Sequence, residues 1–160
     1  MDKNTFTDKI LEAETTLYHI AKTFFINDKD CEDAVQNGIL KAYEKLDSLK
    51  DERFFKTWLV RILINECYYM KRWEKPTVPY EESLKNEIIY SEHNYSELYQ
   101  AIQELPPRIR ITIVLYYVEG YSVNEIKDIL KIPGGTVKSR LSKGRKLLKI
   151  KLESEVMAYE

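Results

Sequence analysis

The residues best suited to engage a charged partner are cations set at helical intervals near the end of the chain. Between Lys127 and Lys151 there are nine bases and one acid, Asp128, giving +8 in a chain whose net charge is −1. Lys138, Ser139, Ser142, Lys143, Lys146 and Lys149 fall on one side of a helix, with Thr136 and Arg140 beside them. Val137, Leu141, Gly144 and Leu148 recur on the other side at intervals of four, three and four. A helix of this kind docks by its apolar side and presents hydroxyls and cations to base edges and phosphates in a DNA groove. Gly144, lacking a side chain, allows close approach of a neighbouring helix. A second stripe, Arg61, Asn65, Tyr68 and Arg72, interleaves cations with an amide and an aromatic ring. That mixture suits single-stranded nucleic acid, whose phosphates need neutralising while its bases stack or hydrogen-bond. For any one of Tyr68, Tyr69 and Trp73, simple packing is the competing reading.

The elements that must position these residues are helices. Ser122 and Glu125 form a capping box, with Tyr121 and Ile126 at the staple positions, and Val123, Ile126, Ile129 and Leu130 give one apolar face. The run Lys131–Gly135 stops that helix and turns the chain through its proline and glycines, and Thr136 is placed to cap the next. Two helices joined in this way read as a helix-turn-helix. Upstream, Ile10, Ala13, Leu17, Ile20, Ala21 and Phe24 mark one amphipathic helix. Val35, Ile39, Ala42 and Leu46 mark a second, opened by Asp28 or Asp30 as cap. Leu59, Ile62, Leu63, Cys67 and Met70 mark a third, from about Phe54 to Trp73. The second and third differ in sign: Asp28–Asp47 carries −3 and Arg53–Trp73 carries +4, with Glu66 the single acid of the latter.

Only five glycines and five prolines occur in 160 residues, which favours long helices, and no alternating strand pattern is present. Helical periodicity fades from Lys75 to Ser96, where Pro76 and Pro79 stand close together. The expected fold is all-α, with two small helical domains at 1–74 and 97–160 joined by a flexible linker at 75–96. No apolar run approaches the roughly 20 residues that span a bilayer, and the N-terminus lacks the apolar core of a secretion signal. A cytoplasmic protein, not itself a membrane protein, is expected. Cys31 and Cys67 stand far apart and away from His19 and His93, so two buried, reduced thiols are expected rather than a disulfide or a metal site. No cluster has catalytic spacing; neither an enzyme nor a cofactor is expected.

Several runs carry a resemblance to a known family. Leu105–Arg108, Tyr117–Ser122, Glu125–Ile126 and Gly135–Leu141 resemble region 4 of bacterial sigma-70-type sigma factors, in the small extracytoplasmic-function group. Glu32–Gln36 resembles the core-binding helix of region 2. Phe55–Leu59 with Ile62, Asn65 and Arg72 resembles the F-x-x-W-L-x-x-I-x-x-N-x-x-x-D-x-x-R pattern of the promoter-melting helix. The chain departs from the family at Tyr69, usually aspartate, at Asn37–Gly38, at Lys127, and at Gly144, usually alanine.

The resemblance implies a factor that binds core RNA polymerase and directs it to promoters. It implies that the recognition helix reads the −35 element as duplex. It also implies that the third helix holds the opened −10 strand through Arg61, Asn65, Tyr68 and Arg72. One base would be extruded into a pocket near the loop Asp47–Phe54, which includes Lys50 and Arg53. Asp33, Gln36 and Asn37 would meet the polymerase, and an anti-sigma factor, membrane-anchored, would cover these faces. A stand-alone duplex-binding repressor would explain the C-terminal half equally well, but leaves the acidic helix and the basic-aromatic stripe without a purpose.

Overall fold

The structure, a computed structural model, describes residues 1–72 and 96–158. Trp73 and most of the expected linker lie outside the described residues. Every regular element among them is helical, and no helix among them is long and apolar enough to cross a membrane. The chain divides into two compact units, each described separately.

The first unit is built on three helices that pack pairwise. Helix α1, Lys3–Phe24, is capped by Asp2, whose carboxylate accepts the Thr5 N–H at 2.7 Å. Its apolar positions follow the expected period: Ile10, Ala13, Leu17, Ile20, Ala21 and Phe24 are all buried, with Phe6 added one turn earlier. Helix α2, Asp28–Glu44, is capped by Asn27, which accepts the Lys29 N–H at 2.7 Å. The cap expected at Asp28 or Asp30 is therefore corrected. Both acids sit in the first helical turn, where their charge still favours the positive end of the helix dipole. Two short 3-10 turns, Leu46–Ser48 and Glu52–Phe54, lead into α3, Phe55–Arg72.

Helices α2 and α3 approach closely at Gly38, where a β-carbon would lie 3.2 Å from Leu63 Cδ1. The same pair is tied by an ion pair between Lys41 and the buried Glu66. Lys41 also lies over the Tyr69 ring, 4.9 Å from its centroid, so the residue at the departing Tyr69 position has a role in holding that lysine. Cys31 and Cys67 are buried thiols. Burial pushes the Cys67 thiol far above its usual range, so it is a packing residue rather than a nucleophile.

The second unit contains α4, Ser96–Gln103, and α5, Pro107–Ile113, which opens on a proline where the absent N–H costs nothing. Helix α5 runs on into a π-helical turn, Val114–Val118. Such turns insert one extra residue and shift every following side chain around the axis. Val114 and Leu115 are buried while Tyr116, Tyr117 and Val118 face outward. Gly120 then turns the chain at φ 75°, a conformation that favours glycine. Helices α6, Val123–Leu130, and α7, Gly134–Ala158, follow. Helices α4 and α5 pack against α7, and Lys151 pairs with Glu104 just beyond α4. Gly144 is buried under α5: a β-carbon there would lie 2.6 Å from Ile113 Cδ1 and 3.0 Å from Ile109 Cγ2. The close approach expected of this glycine is what the packing requires.

Candidate nucleic-acid interfaces

The helix-turn-helix begins at the capping box. The Ser122 hydroxyl accepts the Glu125 N–H at 3.1 Å, and the Glu125 carboxylate accepts the Ser122 N–H at 3.0 Å. Tyr121 and Ile126, at the staple positions, are both buried. The turn differs from expectation in two respects. Its left-handed residue is Lys131, at φ 56° and ψ 49°, rather than either glycine. And α7 begins at Gly134, which puts Thr136 inside the first turn, its N–H donated to the Pro133 carbonyl at 3.0 Å. Thr136 is therefore not the cap. The Pro133 carbonyl also accepts the Val137 N–H at 3.2 Å, the first full helical hydrogen bond, so the helix begins directly after it. A β-carbon at Gly134 or Gly135 would meet nothing within 4 Å. These glycines leave open space at the front of α7 rather than making the turn.

Along α7, Val137, Leu141 and Gly144 are buried and Leu148 is half-buried, while Lys138, Ser139, Lys143, Lys146 and Lys149 are exposed. Thr136, Arg140 and Ser142 are half-buried at the borders of the two faces. The cations and hydroxyls thus share one outward side over several turns of a continuous helix. Arg145, also exposed, donates to the Tyr117 hydroxyl at 3.2 Å and so reaches back to the π-turn.

In the first unit, Asp33, Gln36 and Asn37 are exposed on α2, and the buried positions Ala34, Val35 and Gly38 lie between and beside them. On α3, Asn65 and Arg72 are exposed, and Arg61 and Tyr68 are half-buried. The Tyr68 ring meets Phe24 of α1 edge-on, with centroids 5.0 Å apart, so part of this stripe also packs the unit together. Glu66, the one acid of the segment, points inward to Lys41. Helix α3 consequently shows a more positive surface than its sequence total implies.

The loop before α3 is held by side chains. Lys50 is exposed. The Arg53 guanidinium donates to both carboxylate oxygens of Asp51, at 3.1 Å through Nε to each and 2.7 Å through Nη2 to Oδ2, while Asp51 Oδ1 also accepts the Arg53 backbone N–H at 3.0 Å. These hydrogen bonds, the guanidinium's first, hold the Asp51 carboxyl below its ordinary range. Trp58 Nε1 donates to the Ser48 hydroxyl at 3.4 Å. Asp51, Phe54 and Ser48 were not legible as site residues from their spacing. The D-x-R sequence at 51–53 is the signal that points to the first of them, because it permits an Asx-type turn closed by an ion pair.

Comparison with known proteins places both units. The family model described as Sigma-70 region 2 matches residues 10–76, and that described as Sigma-70, region 4 matches residues 95–148. These matches in this order define a sigma-70-type factor. The extracytoplasmic-function RNA polymerase sigma factor SigW of Bacillus subtilis is 30% identical, the alignment covering 94% of this chain and 90% of that protein. The extracytoplasmic-function sigma-E factor of Escherichia coli is 28% identical over 81% of this chain and 77% of that one. Among solved structures, the sigma factor RpoE of Bartonella quintana, in complex with the anti-sigma factor NepR, aligns with a TM-score of 0.75 at 25% identity. That alignment covers 93% of this chain and 97% of RpoE. CnrH, in complex with the cytosolic domain of CnrY, shares the fold with a TM-score of 0.74 at 23% identity over 96% of this chain and 90% of CnrH. The chain belongs to the extracytoplasmic-function group of RNA polymerase sigma factors, which are transcription initiation factors.

Proposed function

We propose that this sigma factor divides promoter recognition between its two units along the surfaces just described. Asp33, Gln36 and Asn37 on α2 meet core RNA polymerase. Arg61, Asn65, Tyr68 and Arg72 on α3, with Lys50 and Arg53 of the preceding loop, hold the opened −10 strand. Thr136, Lys138, Ser139, Arg140, Ser142 and Lys143 lie toward the front of α7 and read the −35 duplex in its major groove. Lys146 and Lys149, further along, neutralise phosphates. The observation that carries this reading is the opposition within the first unit: an exposed polar patch on α2 beside an α3 whose single acid is turned inward.

The domains run over 1–74 and 97–160 with 75–96 as the linker between them. The protein acts in the cytoplasm, and the polymerase supplies the catalysis. A membrane-anchored anti-sigma factor that covers both faces holds it inactive; of this, the solved complex of RpoE with NepR supports control by an anti-sigma factor. Run-off transcription with core polymerase on a random promoter library tests the whole reading. Initiation from templates sharing a −35 and a −10 motif is expected only when this chain and core are both present. Tight selection of a single duplex operator by the chain without core, and no initiation with it, would show a repressor instead.

A further inference from the structure

The two phenylalanines where the second 3-10 turn meets α3 have opposite fates. Phe55 is buried at 4% exposure, its ring edge-on to Phe6 of α1 at 5.9 Å and tilted against Trp58 at 5.7 Å. Phe54, one residue earlier, leaves the helix start in another direction and is 59% exposed. The Arg53 guanidinium lies over its ring, 5.9 Å from the centroid. That guanidinium is not free to wander, because the Asp51 carboxylate grips it through two nitrogens. The loop beneath is pinned at both ends: Trp58 holds Ser48, and Phe55 is anchored in the core. A rigid base therefore carries an outward aromatic ring with a cation fixed beside it. Ring and guanidinium together suit an unpaired nucleotide, the ring taking its base and the Nη1 edge that Asp51 does not engage donating to its phosphate.

We propose that Phe54 is a specificity-determining ring on which one base of the opened −10 strand stacks, and that Asp51 is the positioning residue that fixes Arg53 beside it. The inference rests on the proposed role of the 47–54 loop and adds to it the residue that receives the base. A flipped base has lost its stacking partners in the duplex, and a preset ring restores one of them. Asp51 touches no DNA in this account. Its carboxylate removes the freedom of the arginine before the strand arrives, so less ordering remains to be done on binding.

The test uses the full chain assembled with core polymerase. A fork-junction DNA is first selected by this holoenzyme from a library randomised in its single-stranded −10 segment. 2-Aminopurine is then placed at successive positions of that segment, where stacking on a ring quenches its fluorescence. Wild-type holoenzyme is expected to quench one position strongly. Phe54→Ala should abolish quenching there and weaken fork binding about tenfold, the loss of one base–aromatic stack. Phe54→Trp should restore both. Asp51→Ala should weaken binding by the same factor as Arg53→Ala, and the double variant should be no weaker than either, because the two act as one unit. Tight fork binding with quenching unchanged in Phe54→Ala would overturn the stacking role, and additive losses in the double variant would overturn the positioning role. If wild-type holoenzyme selects no fork at all, the assignment of the loop to the −10 strand fails instead, a result distinct from either.

Discussion

The two surfaces proposed to bind nucleic acid are built on opposite plans. The face of α7 is made by periodicity alone: one 25-residue helix repeats cations and hydroxyls outward while Val137, Leu141 and Gly144 repeat inward. The surface before and along α3 is made by exceptions to periodicity, two 3-10 turns, a bidentate Asp51–Arg53 pair and a tryptophan–serine hydrogen bond. The difference matches what each is proposed to hold. A duplex major groove is about 12 Å wide and admits a straight helix as a rod. A single unpaired base has no such regular shape and needs a locally constrained loop. The helix docks through a missing side chain, and the loop through side chains that bond one another.

The sharpest way to break this comparison is to remove the helix from its seat. Gly144→Ala puts a carbon 2.6 Å from the side chain of Ile113, which is itself buried and would have to shift within the core. A net loss of about 2 kcal/mol is expected for the second unit in denaturant titrations. Gly38→Ala is the matched control in the first unit. Its contact with Leu63 is looser, at 3.2 Å, and alanine recovers about 1 kcal/mol of helix propensity. It should be close to neutral, and a larger loss at Gly38 than at Gly144 would invert the account of how the two units are packed.

Each unit also buries a polar group, and the pair can be set against each other. Glu66 is buried at 4% exposure but paired with Lys41. The Tyr121 hydroxyl is buried and has no partner among the described residues. Burial, with Glu119 and Glu125 nearby, pushes its pKa up to about 12. Tyr121→Phe should raise stability by about 1 kcal/mol, because a hydroxyl without a partner is removed. The folded-state pKa lies above the ordinary value of 10. Wild-type stability is therefore independent of this group's ionisation below pH 10 and falls further as pH rises toward 12, where the unfolded chain ionises first. Melting temperatures of wild type and Tyr121→Phe should diverge over that window; parallel curves would mean the hydroxyl is solvated.

A smaller effect separates reading from holding along α7. Lys146→Ala or Lys149→Ala should weaken binding to all promoters alike and flatten the salt slope of −35 duplex binding by about 1. Lys138→Ala and Ser142→Ala should instead change which bases are preferred. A changed base preference in Lys146→Ala with an intact slope would merge the two roles.

Much of this was legible in the chain because it depends on spacing. The buried faces of α1, α6 and α7, the Ser122–Glu125 box and the close approach at Gly144 all follow from which residue types recur at three and four. What escaped depends on choices that spacing does not decide. Asn27, Asp28 and Asp30 can each cap a helix, and only the backbone path selects Asn27. A Pro-Gly-Gly run suggests a glycine turn, yet Lys131 takes the left-handed position and the glycines start the helix. The π-turn at Val114–Val118 leaves no pattern, since an unbroken apolar run hides a single inserted residue. Glu66 counts as a surface acid in any charge total until Lys41 is seen across the helix interface. At the candidate site, the exposed cations were readable as a stripe, whereas Asp51 and Phe54 acquire meaning only from the loop geometry.

The central claim is that the α3 surface acts after the strands part and the α7 surface before. It is tested most directly by measuring open-complex formation for Asn65→Ala and Lys50→Ala holoenzymes on two forms of one promoter, fully duplex and pre-melted at −10. The account predicts normal core assembly and nearly normal closed-complex binding, a clear loss of open complex on the duplex, and recovery of much of that loss on the pre-melted template. Equal impairment on both templates, with assembly and stability normal, would contradict it.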